Sequence, residues 1–520
     1  MDGDPSARAT SRALRRSRRR HYLSEGDWVD SLYKAYITAI IAGLALFYLT
    51  IALGSATVGA DTLATIQDRG AGVIGLGIAV VVALGLRSGA RGGPLAPEPA
   101  DVMYLLLAPV SRASVLRSAA LRQLRGVVLV PALAGAVAGS IAADRLGGTR
   151  VEWIAAGATF GVLVALTAWG SALVGSGSRM SLHRANVVAA IVIAWSVIDV
   201  ATTSATAPTA QIGRIALLPL TASAFALLGV LLAVGVATSG LVLVGGVSLE
   251  ALRRRARLVG ELRFAATLQD MRSVIVLHRE LAQELPRSRP WVNVRSVRGG
   301  PCWQRDWRGL ARWPAGRAVR VVILSAVAGL ACVAVWNGTE AFVVVAGVAV
   351  FVAGIDAVEG LAQETDHPVR PEQYPIPWGD LILAHLVAPV CLLAVTGIVG
   401  LVVFGLVAGT ASAFTVAAIV LLPAALAGTA GAATSVVLGA PTPTLFLDFG
   451  FPEFGTLWLI LRQVLAPAVA IAAFVPVVVA HDAVVSGDSP SAAAMSAILL
   501  PLAFVGAASI FLRSRKAVVR

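Results

Sequence analysis

Lysine is almost missing from this chain. Lys34 and Lys516 are its two lysines, and the other 40 of its 42 basic residues are arginine. A P-loop needs Gly-x4-Gly-Lys-Ser/Thr, whose lysine reaches the β- and γ-phosphates. Lys34 precedes Ala35 and Lys516 precedes Ala517, so neither fits, and ATP hydrolysis by this chain is excluded on that pattern. Cysteine is scarce too. Cys302, Cys332 and Cys391 are too few and too scattered for a disulfide framework or a metal cluster, and they read as isolated small apolar residues. Charge of either sign is short, at 14%, where soluble proteins carry about 25%. With 57% hydrophobic residues and a mean hydropathy of +0.81, the chain is an integral membrane protein.

Catalytic patterns are missing as well. There is no Gly-x-Ser-x-Gly with plausible partners and no His-Glu-x-x-His. No pair of Asp-rich loops exists to hold Mg²⁺ and a diphosphate. His481-Asp482 reads as a solvated turn at the end of a span. No enzyme activity, cofactor or metal is expected.

What the chain does have is apolar runs. Twelve occur, at about 36–55, 71–86, 126–143, 153–175, 186–201, 222–247, 318–336, 341–356, 386–408, 413–438, 457–480 and 493–512. Most approach the ~20 residues that cross a bilayer as helix. Helix is required, because lipid offers no partner to an unsatisfied backbone N–H or C=O. Small residues such as Gly229, Gly235, Gly240, Gly428 and Gly431 suit close helix packing. The expected fold is therefore all-α and polytopic. About twelve transmembrane helices form two six-helix halves, 35–247 and 317–520, joined by a cytoplasmic linker, 248–316.

Arginine sets the orientation. With the first residue placed in the cytoplasm, 38 of the 42 basic residues fall inside, and Arg69, Arg145, Arg150 and Arg214 fall outside. Such asymmetry predicts that both termini are cytoplasmic. Abundant arginine and alanine with little lysine point to a GC-rich bacterial genome, and so to a bacterial cytoplasmic membrane. Segment 1–34 reads as a basic tail against anionic lipid. A twin-arginine signal and a nucleic-acid arm both fit it poorly. Asp27-Trp28 starts a short interfacial helix there, and Asp306-Trp307 with Trp313 repeats the feature before the seventh run. These tryptophans read as interfacial anchors, with partner docking as a compatible second role. Within the linker, 250–285 has helical apolar spacing and ends at Pro286.

The interruption Gly92–Arg125 recurs. Leu95-Ala96-Pro97-Glu98 is echoed by Leu361-Ala362-Gln363-Glu364, and Pro109-Val110 by Pro375-Ile376. Each pair is 266 positions apart (361 − 95), which argues for an internal duplication.

The stretch Asp101 to Leu116, carrying Leu105, Leu106, Leu107, Ala108, Pro109, Val110, Ser111 and Arg112, resembles the cytoplasmic loop of type-2 ABC exporter permeases, particularly the large two-half permeases of actinobacteria. Ala265–Arg272 and Pro286–Trp291 are similar to the linker of that group. The resemblance implies that Glu98, Asp101, Leu106, Pro109, Val110, Ser111 and Arg112, with Glu364, Asp366, Pro375 and Ile376 in the second half, form loops that dock on ATP-binding cassette subunits, in two copies. It implies that Asp27, Trp28, Asp306, Trp307 and Trp313 sit on helices that support those loops. Leu105–Leu107 and the Arg112 edge would seat in a groove of the partner. The second copy departs from the first: Pro-Val-Ser-Arg becomes Pro375-Ile376-Pro377-Trp378, so the two docking sites are not equivalent.

Asp199 and Asp356 lie near span ends, and the span centres are almost free of charge. A carrier driven by protons or sodium would want charge at mid-depth. The expected cargo is hydrophobic or amphiphilic, and the expected energy source lies outside the chain. The alternatives are a stand-alone secondary carrier or lipid flippase, and an integral membrane enzyme acting on polyprenyl substrates.

Overall fold

A computed structural model describes residues 59–97, 101–106, 111–267, 277, 287–292, 300–366, 376–439 and 464–514. Every described element is helical. The chain divides into two compact units, with the change after Arg263.

In the first unit, α1 runs Ala60–Ala90, α2 Arg112–Leu146, α3 Arg150–Gly177, α4 Leu182–Thr202, α5 Pro208–Ala216 and α6 Ala226–Leu243. One π-helical turn, Asp101–Leu105, lies between α1 and α2. Helix α7, Leu249–Thr267, starts the amphipathic helix expected over 250–285, whose remainder lies almost wholly outside the described residues. Its buried face is Leu252, Ala256 and Leu258.

In the second unit, α8 runs Pro301–Leu310, α9 Ala315–Trp336, α10 Phe342–Ala357, α11 Glu359–Asp366, α12 Trp378–Ala384, α13 Val387–Ala408 and α14 Ala411–Leu438. Then come α15 Val464–Ala472, α16 Val475–Ser486, α17 Pro490–Ala497 and α18 Leu499–Arg513.

Nine helices among the described residues are long and apolar enough to cross a membrane. Two further pairs, α10 with α11 and α15 with α16, pass together but bend by 61° and 41°, which brings the total to as many as eleven if each bent pair is one span. These eleven fall on the second to twelfth apolar runs. The first run, 36–55, and Asp27 and Trp28 before it lie outside the described residues.

Small residues decide which helices touch. Gly135 and Gly139 of α2 face Gly157 and Gly161 of α3, and a Cβ on any of the four would run into the other helix's backbone. Two Gly-x3-Gly surfaces therefore meet without side chains between them. Gly229 and Gly240 also sit against neighbouring helices, but Gly235 faces open space. In the second unit, α14 is the central helix. Its most apolar stretch is 61% buried, against 17% for the span formed by α17 and α18. Ala424, Ala425, Ala427, Ala430, Ala432 and Ala433 line it on all sides, short enough to let neighbours close in.

Candidate functional site

Each unit contains one of the two loops, and each loop packs against an amphipathic helix. In the first unit, Gly92 and Gly93 take positive φ (119° and 82°), a conformation that costs glycine little. The chain turns there and sends Leu95, Val102 and Leu106 into an apolar cluster with Leu116 of α2, Leu173 of α3 and Leu252 of α7. Polar groups tie the edges. Gln123 Nε2 donates to Pro94 O at 3.0 Å, and Arg254 Nη2 donates to Arg91 O at 3.2 Å. Arg117 Nε donates to Leu241 O at 3.0 Å and Arg179 Nε to Gly246 O at 2.8 Å. Both acceptors lie near a helix C-terminus, where carbonyls have no partner in the helix and the dipole favours cations.

This geometry changes the role of several residues. Leu106, expected to face a partner, is 3% exposed in the chain's own core. Met103 and Tyr104 are turned outward instead, Tyr104 at 80% exposure. That Leu106 turns inward while Met103 and Tyr104 turn outward within one irregular turn cannot be read from the order of the residues. Ser111 precedes α2 and its hydroxyl donates to Ser114 Oγ at 2.7 Å. Arg112 opens α2, is exposed, and has no partner among the described residues. The run Arg253-Arg254-Arg255 on α7 is split in its roles. Arg254 holds the loop, and burial, then the neighbouring Arg254, pulls the Arg255 guanidinium below its usual value. Glu98, Pro109 and Val110 lie outside the described residues, as do the Asp101 side chain and Pro375.

The second loop is fastened by buried polar and charged pairs. Asp306 of α8 and His385, just after α12, are both buried, with Nδ1 2.8 Å from Oδ2. A carboxylate can only accept, so Nδ1 carries the hydrogen. Arg305 on the same turn pairs with Glu364 of α11, which is 0% exposed. Arg317 of α9 reaches Glu359 at 2.8 Å and Asp356 at 3.4 Å, and its guanidinium lies 4.4 Å from the centre of the Trp313 ring. Arg320 grips Asp356 with two nitrogens, at 2.7 and 3.0 Å. Gly360 of α11 sits so close to Asp306 that a Cβ there would strike the carboxylate. Four helices, α8, α9, α10 and α11, and the turn after α12 are thus joined through polar pairs at one end of the second unit.

Of the acids in and beside 357–385, Glu364 and Asp366 were expected to face a partner subunit, yet Glu364 is turned into the chain's own interior. Structure gives Asp356, Glu359, Glu364 and Asp380 arginine partners, the last being Arg513 at 3.0 Å. Arg305, Arg317, Arg320 and His385 are the members that sequence reasoning missed. Trp313 is buried beneath Arg317, which is not the position of a lipid-facing anchor. Trp307 packs edge-on to Trp303 with ring centres 5.5 Å apart. Ile376 is exposed, and Asp366 ends α11 with its side chain outside the described residues. On α8, burial first and Asp306 second push the Cys302 thiol upward, against the opposing Arg305.

The 266-residue register extends into these elements. Leu95 and Leu361 are both buried, and α2 and α12 begin at Arg112 and Trp378, again 266 apart. Buried charge among the described spans stays near their ends. Asp199 accepts from Ser204 Oγ at 2.9 Å, Thr206 Oγ1 at 2.8 Å and Ala207 N at 2.5 Å, which fastens the turn after α4. His481 is no solvated turn residue: it lies within α16, with Nδ1 2.8 Å from Trp336 O at the end of α9. No group of three or more metal-binding side chains occurs among the described residues. No protein-family model, curated protein or solved structure matches the chain.

Proposed function

We propose that this chain is the membrane-spanning subunit of an ATP-driven exporter in a bacterial cytoplasmic membrane, with both termini cytoplasmic. It couples to two separate ATP-binding cassette subunits through 92–125 and 359–385. The observation that carries the reading is the charge-paired joint in the second unit. Asp306–His385 and Arg305–Glu364 bind α8 to the loop, and Arg317 binds that loop, through Glu359, to the first turns of a span, while Arg320 holds Asp356 at the end of α10 just before it. A push delivered to such a loop moves the span with it, because packed and paired elements shift as bodies. Met103, Tyr104, Arg112 and Ile376 are among the exposed loop residues available to a partner.

The cargo is hydrophobic or amphiphilic. Supporting this, a cavity of about 60 Å³ lies within the second unit, lined by Ala328, Gly329, Leu393, Phe404 and Ala424, with no charged group on its wall. Its one hydroxyl, Ser325, already donates to Val321 O. A carrier coupled to ions is less well supported, since the buried charges in the described spans are paired or hydrogen-bonded and lie near span ends.

The test is capture of the tagged full chain from its native membrane in mild detergent, followed by mass spectrometry. A stoichiometric ATP-binding protein is expected. A chain that purifies alone, with no ATPase activity in any fraction containing it, overturns the reading.

A further inference from the structure

At the elbow between α8 and α9, a cavity of about 270 Å³ opens beside the charge-paired joint. Arg305, Arg312 and Arg317 line it, against Asp306 and Glu359. Three guanidinium groups thus face two carboxylates. Both carboxylates are engaged, Asp306 by His385 and Glu359 by Arg317. The Arg312 side chain has no partner among the described residues and is exposed at the rim, with Gln363 also exposed. Arg305 is also engaged by Glu364 and Arg317 by Asp356, so the guanidinium left to face the open, polar cavity is that of Arg312.

Position narrows what can fill it. The elbow immediately precedes a span that begins at Ala315. A span end lies at headgroup depth, where lipid phosphates are the abundant anions. Trp291 is anchored there as well: its ring N–H donates to Trp313 O at 2.9 Å, and its backbone N–H to Ala311 O at 2.8 Å. Tryptophan favours the same interfacial depth. Guanidinium groups bind phosphate oxygens through parallel N–H donors.

We propose that this cavity binds an anionic phosphate group, with Arg312 as the main donor and Arg305 and Arg317 shaping the wall. The abundance of lipid phosphate at this depth makes the phosphodiester of an anionic phospholipid the expected source, and free phosphate the other. The inference does not rest on the exporter reading.

The test uses the full chain, delipidated in detergent, with thermal unfolding followed during titration. Phosphatidylglycerol in mixed micelles is compared with phosphatidylcholine and with inorganic phosphate. Phosphatidylglycerol should raise the melting temperature and phosphatidylcholine should not. Arg312→Gln removes one charge-assisted bond and should weaken the response about tenfold. Gln363→Glu puts a negative charge on the rim and should weaken it at least as much. Both positions are exposed, so folding is not at stake. If inorganic phosphate alone reproduces the rise and both variants cancel it, the phosphate site stands and its source is the solution. Equal responses in wild type and both variants overturn the proposal. So does a wild type that treats the two lipids alike and ignores phosphate.

Discussion

The two loops lie 266 residues apart and are held down by different forces. In the first unit, Leu95, Val102 and Leu106 sink into an apolar cluster, and Arg117 and Arg254 reach carbonyl oxygens at its margin. In the second, Leu361 keeps its buried place, but the fastening is Asp306–His385, Arg305–Glu364 and the Arg317/Arg320–Asp356 group. Apolar burial is non-directional and tolerates small slides. Paired buried charges fix one geometry and penalise loss of either partner. The first loop is therefore the compliant one and the second the stiff one, whatever drives them.

The largest test removes one charge. Arg305→Met leaves Glu364 buried without its partner and should cost about 3–5 kcal/mol of stability. Thermal unfolding of the purified chain reads this, and Arg305→Met/Glu364→Leu together should recover most of the loss. If the double variant is no more stable than the single, the stiffness does not come from paired charge.

Next is the apolar loop. Leu106→Ala should cost about 2–5 kcal/mol through a lost core side chain and the space it leaves. A surface position would change by less than about 0.5 kcal/mol, and such a result would return Leu106 to the partner-facing side. Tyr104→Ala and Arg112→Gln, by contrast, should leave the melting temperature unchanged. Under the exporter reading they should abolish transport-linked ATP hydrolysis in the assembled complex. Glu98 replacements are expected to do the same. Full coupling in all three would remove the first loop from the docking surface.

The exposed pair Asp380–Arg513 makes the opposite contrast with the buried ones. Asp380→Asn should cost less than about 1 kcal/mol, and the difference should vanish in high salt. Smallest of all is a rate effect at Cys302. Its thiol is pushed up by burial and Asp306, so less thiolate is present at neutral pH. In a Cys332→Ala/Cys391→Ala background, its alkylation should reach half-maximal rate at higher pH than a free cysteine does. An alkylation profile matching that of free cysteine would contradict that environment.

The spans were legible because twenty apolar residues without internal charge leave the backbone only one solution in lipid. The buried joint was not, since its members are brought together across 36 to 79 residues of chain. Arg317 and Arg320 read as ordinary basic residues at the head of a run. Asp356 and Glu359 read as the acidic end of another. Trp313 looked like an anchor because tryptophans before a span usually face headgroups. Nothing local shows that Arg317 lies over its ring. Leu106 failed for a different reason: one π-helical turn obeys neither the helical nor the strand period, so its inward face has no signature in the sequence.

By itself, then, the sequence determined that the chain is a many-span helical membrane protein with two related loops. Length, hydropathy and a repeated spacing are properties of the chain in order, and lipid converts them directly into helices. Only the tertiary structure decided which loop is fastened by leucines and which by ion pairs. A charge's partner depends on what lies across the bundle, and burial is what turns that pairing from a weak surface contact into a fixed joint.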